Sequence, residues 1–454
     1  MTSRSEGQRR LIDAFMQTRS HPHPDVLFRL THLLGWLICL NLARGQVYLT
    51  PSDVVLPPEK ASQEALAQSA GRASLRFAGL DLFPHATVTA MYDDNLFITH
   101  SNEVSDVEWT ISPGLSVVAG DVSTYLPGSA TLAQVRNLLD YSLVEDSERP
   151  QRFVGVDYTP SVNVFTEHSV YNNVDHRAGL SAGYAFSRLA VGLDQDFSRV
   201  AEKNNEIGTR LIRELYETKV RTRYEFTDRS TLEINGKYTL LEYGQATYQG
   251  FQEFRNEDWF NRQVGAKANA GLGVAFGFVY PDVDANQTYQ QALVRGIYRL
   301  TGKMDLRLTV GAEYRQYDSD RSDTINPVFT VAGIYQLSER TTITLDGHRL
   351  DSPSPTGDYN YVTVGVYGGV QQQVFGGWSV GLSGGYDSID YVQLQAGASN
   401  NRSDGYFSLQ ANVDYDMNRH LKARLFYIRR QDDSTMETFT YANNMVGIQI
   451  AWRF

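Results

Sequence analysis

From about residue 82 to the end of the chain, apolar side chains recur at every second position over segments of roughly a dozen residues. In Asp305–Arg315, Leu306, Leu308, Val310, Ala312 and Tyr314 share one parity, while Asp305, Arg307, Thr309, Glu313 and Arg315 share the other. Successive side chains of a strand point to opposite faces, so such a segment has one oily and one charged face. The pattern returns at Tyr216–Phe226, Leu232–Leu240, Trp378–Tyr386 and Phe407–Tyr415. A water-soluble sandwich also alternates, but it has no use for full charges facing inward on strand after strand. Segments this long exceed the soluble mode of about 5–6 residues and meet the requirement of about 9–11 for crossing a bilayer.

The connections alternate as well. Short polar turns at 186–188, 227–230, 301–303, 338–340, 375–377 and 417–420 exchange with longer polar loops at about 201–208, 244–256, 318–325, 351–358, 391–403 and 432–439. Eighteen segments are expected, starting near 84, 105, 152, 175, 188, 210, 230, 257, 271, 288, 303, 326, 340, 359, 378, 404, 419 and 440. The reading is an all-β protein: an up-and-down antiparallel transmembrane barrel of about eighteen strands, with periplasmic turns shorter than the outer loops. Ser129–Ser147 does not fit. Its apolar residues Leu132, Val135, Leu138, Leu139 and Leu143 have helical spacing, so a periplasmic helical insert is expected at about 120–150.

Ahead of the barrel, Arg4, Arg9, Arg10, Arg19 and Arg29 precede the apolar stretch 30–42, and Ala43 and Gly45 supply small residues before a cut at Gln46. This is the layout of a signal peptide over 1–45. Residues 46–80, with Pro51, Pro57 and Pro58, are expected to form a periplasmic leader before the barrel at 81–454. The lone Cys39 follows bulky Trp36, Leu37 and Ile38, which excludes a lipoprotein cut, and a chain with one cysteine has no intramolecular disulfide. The formal net charge of −11 argues against nucleic acid as a partner, because that needs a concentrated basic face.

On the parity expected to face the bore stand Arg221, Arg223, Glu233, Lys237, Arg295, Arg299, Arg307, Glu313, Arg315, Asp414, Lys422 and Arg424. An eighteen-strand barrel is wide enough for an aqueous channel, and charged walls keep it wet. Rings such as Tyr224, Tyr238 and Trp378 are expected at the wall. The closing segment, Val446–Phe454, alternates to a terminal aromatic. Trp452 and Phe454 are read as the signal for the barrel-assembly machinery.

No catalytic, metal or cofactor site is expected. The histidines fall in no G-x-S-x-G or H-E-x-x-H pattern, His348 reads as a satisfied lumen residue, and Asp93-Asp94-Asn95 reads as a turn rather than a calcium loop.

The region from about Leu80 to Phe454 resembles the type 2 family of β-barrel porins of bacterial outer membranes. The likeness is carried by Tyr92–Phe97 (YDDNLF), Tyr289–Val294 (YQQALV), the turn at 300–303, Ser338–Thr341 (SERT), Leu425–Tyr427 and the terminal strand. That family is associated with exopolysaccharide loci in Gram-negative bacteria. The resemblance implies an outer-membrane location and a pore exporting a secreted polysaccharide, with membrane lipid and a periplasmic polysaccharide export protein as partners. A general diffusion porin and an occluded structural or adhesion barrel are the alternatives.

Overall fold

A computed structural model describes residues 75–120, 152–205, 207, 209–300, 303–319, 321–394 and 402–453. The segments expected to be a signal peptide and a helical insert, most of the expected leader, and Phe454 therefore lie outside the described residues.

A short strand, β1 (Leu75–Phe77), precedes eighteen long ones. The first nine are β2 (Leu80–Asp93), β3 (Asp106–Gly120), β4 (Arg152–Phe165), β5 (Asn173–Ala185), β6 (Leu189–Asn204), β7 (Thr209–Thr227), β8 (Ser230–Tyr243), β9 (Phe251–Gly265) and β10 (Ala268–Pro281). The rest are β11 (Gln287–Leu300), β12 (Met304–Tyr317), β13 (Thr324–Ser338), β14 (Thr341–Pro353), β15 (Tyr359–Phe375), β16 (Trp378–Gln393), β17 (Ser403–Asn418), β18 (Leu421–Ser434) and β19 (Tyr441–Arg453). Each long strand pairs antiparallel with its neighbour in the chain, and β19 returns to β2 from Met445↔Asp93 to Arg453↔His85. The sheet is thereby closed, with no free long edge to template association. β1 pairs with β2 just beyond the last β19 contact.

The eighteen expected segments are these eighteen strands. The largest discrepancy is β9, which starts at Phe251 rather than near 257. Its first half is polar on both faces (Gln252 and Asn256 on one, Glu253 and Arg255 on the other), so the alternation that marks a strand is absent there.

Burial follows the parity. On β10, Leu272, Val274, Phe276, Phe278 and Tyr280 are exposed while Ala275, Gly277 and Val279 are buried. Val154, Val156, Tyr158, Val162 and Val164 of β4 and Val446, Ile448, Ile450 and Trp452 of β19 are exposed in the same way. This apolar band encircles the sheet, far beyond the few hundred Å² that a water-soluble monomer leaves exposed. Aromatic pairs bound it. Tyr184–Phe186 (4.5 Å between centroids), Tyr224–Phe226 (5.0 Å) and Trp378–Tyr415 (4.5 Å) lie toward the short turns, and Tyr238–Phe254 (4.7 Å) and Phe197–Tyr216 (4.8 Å) toward the long loops. Such belts suit membrane–water interfaces.

Candidate functional site

The other face of the wall is charged and cross-braced. Arg295 (β11) reaches Glu233 (β8) at 2.8 Å and the Asn261 side-chain oxygen at 2.6 Å, and its guanidinium stacks on the Trp259 ring at 4.3 Å. Lys237 pairs with Glu217, which Lys219 also approaches at 3.3 Å, and Arg221 pairs with Asp194. Arg223 lies 3.7 Å from Glu225 and Arg299 3.6 Å from Asp305. Arg307 occupies the inner parity of β12, where Ile297 and Ala332 are its register partners. On the far side Arg424 grips Asp414 with two bonds, at 2.6 and 2.9 Å, and Lys422 stands 3.7 Å away.

Glu313 and Arg315 belong to a longer chain of contacts. Arg255 donates to Glu257 at 2.7 Å and to Gln291 at 2.9 Å; Gln291 donates to Glu313 at 2.6 Å; Arg315 bonds Glu313 at 2.8 Å and approaches Asp351 at 3.6 Å. Buried pairs with every partner present hold a wall rigid, although their net stabilisation is small because desolvation offsets the attraction.

The inner wall also carries rings, but not the expected ones. Tyr224 and Trp378 are both 40% exposed on the lipid side. Tyr238 sits with them on the parity opposite buried Lys237 and Thr239. The inward rings include Trp259, Tyr289, Tyr361, Tyr406 and Tyr441. Trp259 and Tyr289 fit because β10 offers them small residues. A Cβ on Gly273 would lie 2.6 Å from the Trp259 ring, and one on Gly277 2.0 Å from Tyr289. The signal available in sequence was the run Gly271, Gly273, Ala275, Gly277 on one parity beside bulky neighbours. Small residues facing a neighbour's rings let large side chains lie flat along the wall.

At the long-loop end, chain folds inward over the bore. The tip of the β6–β7 hairpin crosses toward β2 and β19. There Lys203 sits 2.5 Å from Asp93 and donates to the Asn95 carbonyl at 2.9 Å and to the Asn443 side chain at 3.1 Å. Tyr441 donates to Asn205 at 2.7 Å. Asp93 and Asn95 also form the expected turn, the Asn95 amide donating to Asp93 and the Thr99 amide to Asn95. From that turn Ile98 enters a cluster with Tyr361, Ile389, Tyr406 and Tyr441. Ile98 has φ of 50°, a left-handed conformation unfavourable for a β-branched residue, held by burial on all sides.

A second inward fold involves β14 and β15. Pairing of β13 with β14 stops at Thr330↔His348, whereas β14 and β15 stay paired to Pro353↔Asn360. Above His348 the hairpin leans into the cylinder, and Asp351 and Asn360, on the parity that elsewhere faces lipid, are buried. Asn360 bonds Gln287 of β11 in both directions, at 2.8 and 2.9 Å. A cavity lined by Arg255, Tyr289, Glu313, Arg315, Arg349 and Asp351 remains between hairpin and wall.

A closed antiparallel barrel with an apolar belt outside and ion pairs inside is an integral β-barrel of the bacterial outer membrane, the one setting in which such a sheet satisfies its backbone and its surface together. Neither family models nor curated proteins match the sequence. Solved structures with a similar arrangement of strands include the outer-membrane channel DcaP of Acinetobacter baumannii (12% identical, 85% of this chain and 100% of that one, TM-score 0.42). OccAB4 of the same organism is 9% identical over 82% of this chain and 98% of that one, with TM-score 0.43. OpdL of Pseudomonas aeruginosa is 7% identical over 83% and 99%, with TM-score 0.43.

Proposed function

We propose that this protein is an outer-membrane pore and that a secreted polysaccharide is its cargo. The observation that carries the pore is the inner wall itself: a ring of ion pairs and amide side chains needs water beside it, and eighteen strands enclose a bore wide enough to hold it. No covalent step is involved. Passage depends on a hydrated route lined by groups that exchange hydrogen bonds with solute hydroxyls. The polymer assignment rests on the likeness to the type 2 porins and on inward tyrosines and arginines, which suit sugar rings and hydroxyls. In this reading a periplasmic export protein delivers polymer to the short-turn end, and the polymer leaves at the long-loop end. Deleting the gene tests it: surface polymer is lost while the periplasm accumulates it, and unchanged polymer with slower uptake of small solutes refutes it.

One observation favours a general diffusion porin instead. The inward hairpin of β14–β15 and the β6–β7 tip occupy part of the bore, an arrangement better matched to small hydrophilic solutes than to a continuous chain. Solute-size exclusion in liposome swelling separates the two.

A further inference from the structure

The short turns share one construction and, over half of the rim, one charge. In the hairpins β5–β6, β7–β8, β9–β10, β11–β12 and β13–β14, the residue just before the second strand is Arg188, Arg229, Lys267, Lys303 and Arg340 in turn. Each backbone carbonyl accepts a bond from the next strand along, from Glu225, Gln263, Arg299, Gln336 and Gln373, at 2.7–2.8 Å. The ladder therefore runs one residue into every turn and fixes where each cation leaves the chain. All five continue the parity of the inner wall: Lys303 stands two places before Asp305, and Arg229 four before Glu233. All five are exposed, and none forms an ion pair with another described residue. Asp228 and Glu339 share turns with Arg229 and Arg340, while Glu225 and Asp305 stand against Arg223 and Arg299 of the wall, at 3.7 and 3.6 Å. The next hairpins, β15–β16 and β17–β18, carry Gly377 and His420 at the same position, with Arg419 turned onto His420 at 2.9 Å. The cations thus form one arc over five consecutive hairpins.

Adjacent strands lie about 4.8 Å apart, so successive turns, two strands on, stand about 10 Å apart. That equals the screening length of about 10 Å at 0.1 M salt, so the fields of neighbouring cations merge. A mouth lined by one sign of charge concentrates the opposite sign and speeds its capture by about 10- to 1,000-fold. We propose that this arc is a binding site for a polyanion, and that the polymer passing the pore is an acidic polysaccharide gathered by its carboxylates. Polymer and passage rest on the function proposed above; the site itself does not. Separate cations at regular intervals suit a chain with repeating carboxylates better than one small anion, which a single exposed turn holds weakly. Their inner parity turns them from the lipid headgroups toward the bore, where Arg223, Arg299 and Arg307 continue the basic track.

The test is binding of labelled hexagalacturonate and uncharged maltohexaose to the full barrel in phosphatidylcholine nanodiscs, read by fluorescence anisotropy. Hexagalacturonate is expected to bind about tenfold or more tighter than maltohexaose at 0.1 M salt, and to lose that advantage at 1 M, where the screening length is about 3 Å. Combining Arg188→Gln, Arg229→Gln, Lys267→Gln, Lys303→Gln and Arg340→Gln is expected to remove the same advantage, while Arg188→Lys, Arg229→Lys and Arg340→Lys together keep it. Heat-modifiable gel mobility shows that each variant still forms a barrel. Equal binding of the two probes, or undiminished hexagalacturonate binding in the five-glutamine variant, overturns the proposal. So does a five-glutamine variant that loses only bound phosphatidylglycerol, which would make lipid headgroups the occupant. The readout needs no current: a barrel that binds through the arc but conducts nothing supports the site and removes the pore, whereas a conducting barrel indifferent to the five changes removes the site alone.

Discussion

Lys203 places its ammonium 2.5 Å from the carboxylate of Asp93, joining the end of β6 to the end of β2, four places away around the barrel. Both side chains are nearly excluded from solvent, with 6% and 1% exposed. The pair therefore works as a tether that holds the β6–β7 tip over the bore, and three predictions about the lumen follow from this and its neighbouring contacts.

Removing the ammonium with Lys203→Met leaves Asp93 buried against a methylene chain. Breaking one side of a buried pair costs about 3–5 kcal/mol, which the tip avoids by swinging out. Single-channel recordings are expected to show a larger unit conductance with more frequent fluctuations, and Asp93→Asn combined with Lys203→Met less than the sum of the two single changes. Unaltered conductance in all three variants contradicts a tether.

Gly277 lies under Tyr289, and an added Cβ would meet that ring at 2.0 Å. Gly277→Ala is expected to lower barrel stability by about 1–3 kcal/mol, the usual range for overpacking, read from the urea midpoint of folding into lipid vesicles. Truncating the ring, with Tyr289→Leu, is expected to restore part of the loss. The outward neighbour Phe278→Leu is expected to have a much smaller effect, since nothing in the wall depends on its shape.

Arg295 stands against Glu233 and Glu313 against Arg315, so neutralising one member of either pair leaves its partner to act on passing ions. Arg295→Gln leaves Glu233 uncompensated and is expected to shift the reversal potential toward cation preference; Glu313→Gln is expected to shift it toward anions. Both shifts are expected to be larger at 0.1 M salt, where the screening length is about 10 Å, than at 1 M, where it is about 3 Å. Equal reversal potentials in wild type and both variants place these residues away from the conduction path.

Much of the fold was legible because lipid and water make opposite demands on alternate residues, and every strand with both demands intact, such as β12 and β17, declares itself. The starts of β9 and the upper half of β14 were not legible for the same reason. Asn256 and Asp258 put polar groups on the lipid side, and Arg349 and Asp351 serve the interior from a parity that lower down faces outward. The side chains lining the bore could be read by parity, but their partners could not. Lys203 meets Asp93 across 110 positions of sequence, and neither residue's neighbourhood names the other. Arg255 lay in a stretch read as a loop, so the chain of contacts from Glu257 to Asp351 was invisible until the strands were in register.

The central claim is that the ion-paired interior is a wet passage through an outer membrane. Purified protein in a planar bilayer tests it most directly. Discrete, ohmic conductance steps that grow in Lys203→Met are the predicted result, and a folded, inserted barrel that passes no current in either form would contradict it.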